Sequence, residues 1–296
     1  MTVRTKLSAV TPRPVRRAVK LGIRAAYTLP TSRFRLLPSF LIIGAQRAGT
    51  TSLYRYLSKH PAVGPVVLTK GAHYFDTNYD KGLAWYRAHF PARWSGANTR
   101  RRFGVDRITG EGSPYYVFHP LAPFRIRETI PDVKLLLMLR DPVERAYSHY
   151  QHEKARGFED LSFEEAIARE PERLAGERER IIADPTYLSF HHQHHSYLAR
   201  GRYLEQLLVW RELFPPEQMM IIQTERFFTD PERGFAEVLA FLGLPPWRPP
   251  VFERYNARQY SSMRPDTRAW LQDYFRNLNE ELEAYLGTNF GWGDRS

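Results

Sequence analysis

The sequence predicts an α/β fold, a central parallel sheet with helices packed on both faces in three layers. Phe40–Ile43, FLII, is apolar at every position and runs into Gly44. Lys134–Leu139, KLLLML, is apolar after its first residue, and Met219–Gln223, MMIIQ, is a third such run. Continuous apolar runs of this length suit strands buried on both faces, where parallel strands sit. Stretches of helical spacing lie between them, and strand alternating with helix is the pattern of a parallel sheet.

The elements follow in order. From Thr50 the chain reads as a helix, with Leu53, Tyr54 and Leu57 on one face. Gly64–Lys70, GPVVLTK, reads as a short strand, followed by the loop KGAHYFD. Gly82–Phe90 is a helix, Ile108–Glu111 a strand and Leu121–Ile130 a helix. Asp141-Pro142 opens the next helix, with Asp as N-cap and Pro in the first turn. The charged stretch Glu159–Asp184 reads as surface helix, and Pro265–Trp292 as an amphipathic helix closing the domain. Residues 38–296 are expected to form a single domain behind a basic lead-in, residues 1–37.

Composition narrows the function. With 43% hydrophobic and 14% aromatic residues, 296 residues can bury a sizeable core. The absence of cysteine excludes a disulfide framework, a zinc–thiolate site and a thiol nucleophile. The net charge of +11 is concentrated: residues 1–75 hold 13 Lys and Arg and no acid, and the remainder holds 30 against 32 acids. On a helix, Val15, Val19, Ile23 and Tyr27 share one face and Arg16, Lys20 and Arg24 the next. Such a helix can lie on an anionic membrane; the plainer reading is a lead-in packed loosely on the domain. It lacks the apolar core and cleavage site of a secretory signal, and no run reaches the roughly 20 apolar residues of a membrane span. The expectation is a cytoplasmic protein, peripheral contact with an anionic membrane being left open. No nucleic-acid module is recognisable.

The densest chemistry is in FLIIGAQRAGTTSLYRYL, Phe40–Leu57. A strand, a glycine-bounded loop and a helix N-terminus make an anion cradle, because the first-turn N–H groups and the helix dipole point at the ligand. Arg47 adds a charge, and Thr50, Thr51 and Ser52 add hydroxyls. The loop is P-loop-like, yet Thr50 stands where a Walker lysine belongs. A kinase needs that lysine and a hydroxyl on Mg²⁺, so the loop suits an anionic nucleotide held without metal. A second motif is LRDPVERAYS, Leu139–Ser148. Arg140 ends a buried strand, and Ser148 lies about two turns into the following helix. Together they can clamp a phosphate; alternatively Arg140 pairs with Asp141 or Glu144.

The two motifs together resemble the PAPS-dependent sulfotransferases, most closely the heparan-sulfate and carbohydrate branch. KGAHYFD, EGSPYY, YLARGRYLEQLLVWRELFP and the terminal NFGW agree, so the likeness spans roughly Phe40 to Trp292. It implies that Arg47, Ala48, Gly49, Thr50, Thr51 and Ser52 hold the 5′-phosphosulfate of PAPS. Arg140 and Ser148 then hold the 3′-phosphate, and the region around Arg258 and Tyr260, a weaker match to the family, is the candidate for a further cofactor contact. It implies in-line transfer of a sulfuryl group to a hydroxyl of a carbohydrate or glycolipid acceptor, with PAP leaving and no metal required. Preorganised charge at the leaving phosphate is the main catalytic need. Relatives usually carry Lys where Arg47 stands, so Arg47 is assigned to the leaving group.

One departure matters. In the heparan-sulfate branch the loop after the second strand begins Lys-Glu, and that Glu is the proposed base. Here Lys70 is followed by Gly71. His73 is the first replacement, with an ordinary pKa suited to neutral pH. Glu111 is the second, and Asp76 the third, though Asp76 is better placed to orient His73. Gly112 stands where relatives often have Lys, so acceptor recognition is expected to differ. Tyr74, Phe75, Trp85 and Tyr116 are read either as sugar-stacking rings or as core. His191–His195, HHQHH, has i,i+4 histidines without the HExxH glutamate and reads as chance or as a loop lining the acceptor cleft. Two rivals remain at this level: a P-loop-type nucleotide kinase, and a non-catalytic anion- or membrane-binding protein.

Overall fold

The computed structural model describes residues 22, 26, 28–69, 71–253, 255 and 261–293. Five parallel strands form one sheet: β1 (Phe40–Gly44), β2 (Val63–Gly64), β3 (Ile108–Gly112), β4 (Lys134–Leu139) and β5 (Met219–Gln223), in the order β2-β3-β1-β4-β5. β1 is central, with Phe40 opposite Gly110 of β3 and Lys134 of β4. All five of its residues are buried, which is why the run carries no polar alternation. Gly110 is required by close approach, since a Cβ there would lie 2.5 Å from the Phe40 ring.

Helices flank the sheet. Thr50–Lys59 follows β1 and Pro142–Lys154 follows β4. Asp141 caps the latter, its carboxylate accepting from Val143 N at 2.9 Å. A satellite core joins this helix to Phe163, Ile167, Tyr197, Leu271 and Phe275.

Several expected elements differ: Tyr74–Thr77 in the expected loop KGAHYFD and Phe190–His194 over HHQHH are short helices, and the helix expected over Gly82–Phe90 ends at Arg87. The second strand is only Val63–Gly64, because Pro65 has no N–H for the ladder and Val67 N turns away to His89 O at 2.7 Å. Glu159–Asp184 is three short helices, Phe163–Ala168, Glu170–Leu174 and Glu177–Ala183. Pro171 blocks continuation, and Gly176 at φ +71° turns the chain. Nor is this stretch all surface, for Glu159, Glu170 and Glu177 are buried. The last helix, Pro265–Leu286, stops at Gly287 in left-handed backbone.

Most of the basic lead-in, including the expected helix around Val15–Tyr27, lies outside the described residues. From Thr28 the chain is tied to the domain: Arg35 is buried, Nη1 donating to Phe90 O at 2.7 Å and Nε to Thr28 O at 3.2 Å.

Candidate active site

The loop after β1 is held from several sides. Arg47 has φ +72°, left-handed backbone that a non-glycine residue adopts only where its surroundings fix it. Arg140 Nη1 donates to Arg47 O at 3.2 Å, and Thr224 Oγ1 donates to Ala48 O at 2.8 Å. Gly49, at φ +89°, turns the chain into the helix Thr50–Lys59, and a Cβ there would meet the Phe228 ring at 2.6 Å. Arg47 Nε donates to Ser148 Oγ at 3.0 Å. The two anion motifs, a hundred residues apart in the chain, are therefore one site.

Arg140 is placed by the end of β4. Its carbonyl accepts from Tyr203 Oη at 2.7 Å, and its Nη2 lies 3.5 Å from Glu144, which also pairs with Arg268 at 2.7 Å. The Glu144 pairing considered from the sequence is present, and it leaves the Arg140 side chain 24% exposed. Burial pushes the Asp141 carboxyl up to about 6 despite its bond from Val143 N. Ser52 Oγ accepts from Tyr255 N at 3.0 Å; Arg258 and Tyr260 lie outside the described residues.

β3 delivers the neighbouring loop. His73 N donates to Ser113 Oγ at 3.1 Å, and the His73 Nδ1 to Asp76 Oδ2 distance is 2.8 Å. The His73 side chain is 38% exposed and that of Asp76 is fully buried. Burial works against the charged imidazole, but Asp76 outweighs it and holds the pKa above the ordinary 6.5. Glu111 is fully buried with both oxygens occupied. Oε2 accepts from Ala72 N at 2.7 Å and Ser113 Oγ at 2.9 Å, and Oε1 accepts from Tyr86 Oη at 2.9 Å and Tyr116 Oη at 2.8 Å. Burial raises its pKa, against the lowering effect of these bonds. At Gly71 an added Cβ would lie 3.0 Å from Gly112 O and 3.5 Å from His73 Cδ2, so the His73 ring stands beside the place of the missing side chain.

Comparison with known proteins fits this geometry. The family model described as "Sulfotransferase domain" matches residues 37–285. The chain belongs to the sulfotransferase domain family. It is 28% identical to the membrane-associated sulfotransferase kil1 of Dictyostelium discoideum, over 86% of this chain and 66% of that protein. It is 31% identical to the human bifunctional heparan sulfate N-deacetylase/N-sulfotransferase 3, over 84% of this chain and 30% of that protein. It is 30% identical to the mouse heparan sulfate glucosamine 3-O-sulfotransferase 3B1, over 86% of this chain and 65% of that protein. The chain thus spans less than two thirds of each of these relatives. A solved sulfotransferase of Alicyclobacillus acidocaldarius superposes with a TM-score of 0.64 at 32% identity, covering 88% of this chain and all of that one.

The matched domain is that of the sulfotransferases, a family that implies PAPS as donor. The residues present suit that donor: two guanidinium groups, hydroxyls and a helix N-terminus converge where β1 and β4 end, with Ser148 inside Arg47's reach. Arg200, missed by the sequence reading, supports the sulfotransferase loop from behind. It is buried over the rings of Tyr115 and Phe118, at 4.7 and 5.0 Å. It donates to Gln46 Oε1, to Ser196 Oγ at 2.7 Å, and to the His192 and Gln193 carbonyls at 3.1 and 2.8 Å. Burial lowers its pKa to about 10. No sequence motif announces such a residue, because its burial and its bond to the distant Gln46 exist only in the fold.

The histidine cluster is bonded inward. His192 Nδ1 meets Tyr115 Oη at 2.7 Å, His194 meets Glu153 at 3.0 Å, and His195 Nε2 meets Phe158 O at 2.8 Å. Among the described residues, no group of three His, Cys, Asp or Glu side chains is arranged to hold a metal ion. Tyr74, Phe75 and Tyr116 are core residues rather than sugar platforms. Tyr74 stacks on Tyr86 at 4.4 Å, and Tyr116 Oη accepts from Tyr74 N at 2.9 Å. Among the described residues, no helix is long and apolar enough to cross a membrane.

Proposed function

We propose that this sulfotransferase transfers the sulfuryl group of PAPS to a hydroxyl of a carbohydrate or glycolipid acceptor, with His73 as general base. The observation that carries the reading is His73 itself, partly exposed, in contact with buried Asp76, and beside Gly71. Holding Nδ1–H on Asp76 leaves Nε2 to take the hydroxyl proton as the new S–O bond forms, so Asp76 sets the tautomer and steadies the imidazolium. When bound, PAPS supplies the sulfuryl group and departs as PAP. Arg47, with Thr50, Thr51 and Ser52 at the helix start, offsets the charge that grows on the leaving 5′-phosphate. Arg140 and Ser148 take the 3′-phosphate and fix the donor's register. Glu111 is a positioning residue: its carboxylate ties Ala72 and Ser113 to β3 and so places His73.

The acceptor class is supported by the printed names of the relatives, two of which act on heparan sulfate. Gly71, and Gly112 where relatives often have Lys, argue for an acceptor other than heparan sulfate itself. Incubation of the protein with labelled PAPS and a panel of glycans, glycolipids and phenols tests the reading. Label is expected in a glycan or glycolipid; label confined to phenols would overturn the acceptor class.

A further inference from the structure

We propose that the face built around Phe34 and Trp94 docks on an anionic lipid bilayer. These rings are 45% and 58% exposed, yet they lie 6.2 Å apart and form one patch. The Arg33 guanidinium sits 4.5 Å over the Phe34 ring. Leu83, also exposed, comes from the helix Gly82–Arg87 that packs beside Ser32–Phe34. Leu29 is exposed at the turn leading into the same segment. Exposed aliphatic and aromatic side chains beside arginines are the composition of a membrane interface, where apolar parts enter the acyl boundary and guanidinium groups stay with the headgroups.

The charge around the patch is predominantly positive. Trp94 lies in the turn Arg93–Gly96, which Arg107 Nη1 fixes by donating to Ser95 O at 2.8 Å. The helix Ala97–Phe103 follows and ends in Arg100, Arg101 and Arg102, all exposed. Between Thr77 and Val105 the single acid is Asp80; Asp106 pairs with Arg100 at 3.5 Å, leaving Arg101 and Arg102 to the surface.

The chain outside the described residues adds a second, independent observation. Thr28 is bonded to Arg35, whose neighbour is Phe34 and whose backbone bridges Ala92. Residues 1–27, with 7 Lys and Arg and no acid, join the chain at Thr28, beside this patch. Near an anionic leaflet each added cation strengthens binding roughly fivefold. A single-stranded nucleic acid is the competing polyanion, but Leu29 and Leu83 suit acyl chains, and rings tilted by 54° offer bases no common stacking plane.

Co-sedimentation of the full chain with phosphatidylcholine vesicles, with and without phosphatidylserine, tests the proposal. Binding is expected to the anionic vesicles, to weaken with added salt, and to fall at least about tenfold in Phe34→Ser/Trp94→Ser and in Arg101→Glu/Arg102→Glu. These substitutions are exposed and lie outside the anion motifs, so unchanged PAP affinity by calorimetry verifies that each variant is folded. Three results would overturn the proposal. Both variants binding as the parent would do so. So would loss of binding only when residues 1–27 are deleted, or tighter binding to an RNA oligonucleotide than to the vesicles.

Discussion

His73 holds φ +50° because its neighbours fix the chain on both sides of it. Asn78 Nδ2 donates to the Ala72 and His73 carbonyls at 3.0 and 3.1 Å, while Ser113 and Tyr116 take the amides of His73 and Tyr74. A base so fixed is preorganised. His73→Ala is expected to lower kcat roughly 10²–10⁴-fold, the usual weight of a general base, while calorimetry shows unchanged PAP affinity; unaltered turnover would remove His73 from the mechanism. A base works unprotonated, so activity rises with pH through its pKa, which stands above 6.5. Asp76→Asn removes the group that raises it, and the acid limb of kcat/KM is expected to move to lower pH; a limb that stays in place would separate it from His73. The meeting of Arg47 with Ser148, and of His73 with Asp76, was foreseeable because each stands in a short motif with a chemical reason. Arg200 was not, since its burial and its bond to Gln46, far away in the chain, appear only in the fold.

At the scale of elements, β3 does more than fill the sheet. Its Glu111 joins the strand, the loop before His73, and the Tyr86 and Tyr116 rings. Glu111→Ala leaves buried donors unpaired and is expected to destabilise the protein by roughly 2–4 kcal/mol in urea unfolding. It should also lower kcat in whatever fraction still folds. Glu111→Gln keeps one acceptor oxygen and should recover part of both; full activity in the Ala variant would show that the loop needs no such anchor. Glu111 drew notice in the sequence as a carboxylate at a strand end, but its bonds with Tyr86 and Ser113 appear only once helix and loop close over it. The same holds for Glu159, Glu170 and Glu177. A charged stretch reads as solvent-facing, yet Arg173 pairs with Glu159 at 2.6 Å, and the amides of Leu198 and Ala199 bond Glu170. The breaks at Pro171 and Gly176 were visible in the residues and needed only greater weight than the charge pattern.

At the scale of the molecule, the parallel sheet was legible from its apolar runs and the alternation with helices, whereas strand order was not, because every buried parallel strand presents the same kind of edge. The whole chain also sets a pH dependence. Burial holds His60, His89, His119, His149, His192 and His195 below the ordinary histidine value, so below pH 6.5 the unfolded chain binds protons that the fold refuses. Glu111, Asp141 and Glu170, held high by burial, act the other way, as does His73. Six groups against four leave the histidines ahead, and thermal unfolding is expected at lower temperature at pH 5.5 than at pH 7. A midpoint that rises on acidification would contradict it. The central place of β1 has a further consequence, during synthesis. Phe40 emerges early, but its partners Gly110 and Lys134 come much later. At about 5–20 residues per second, the wait for Lys134 is roughly 5–20 s. Through that interval FLII is an apolar strand with at least one open edge, so the nascent chain is a natural client for a ribosome-associated chaperone.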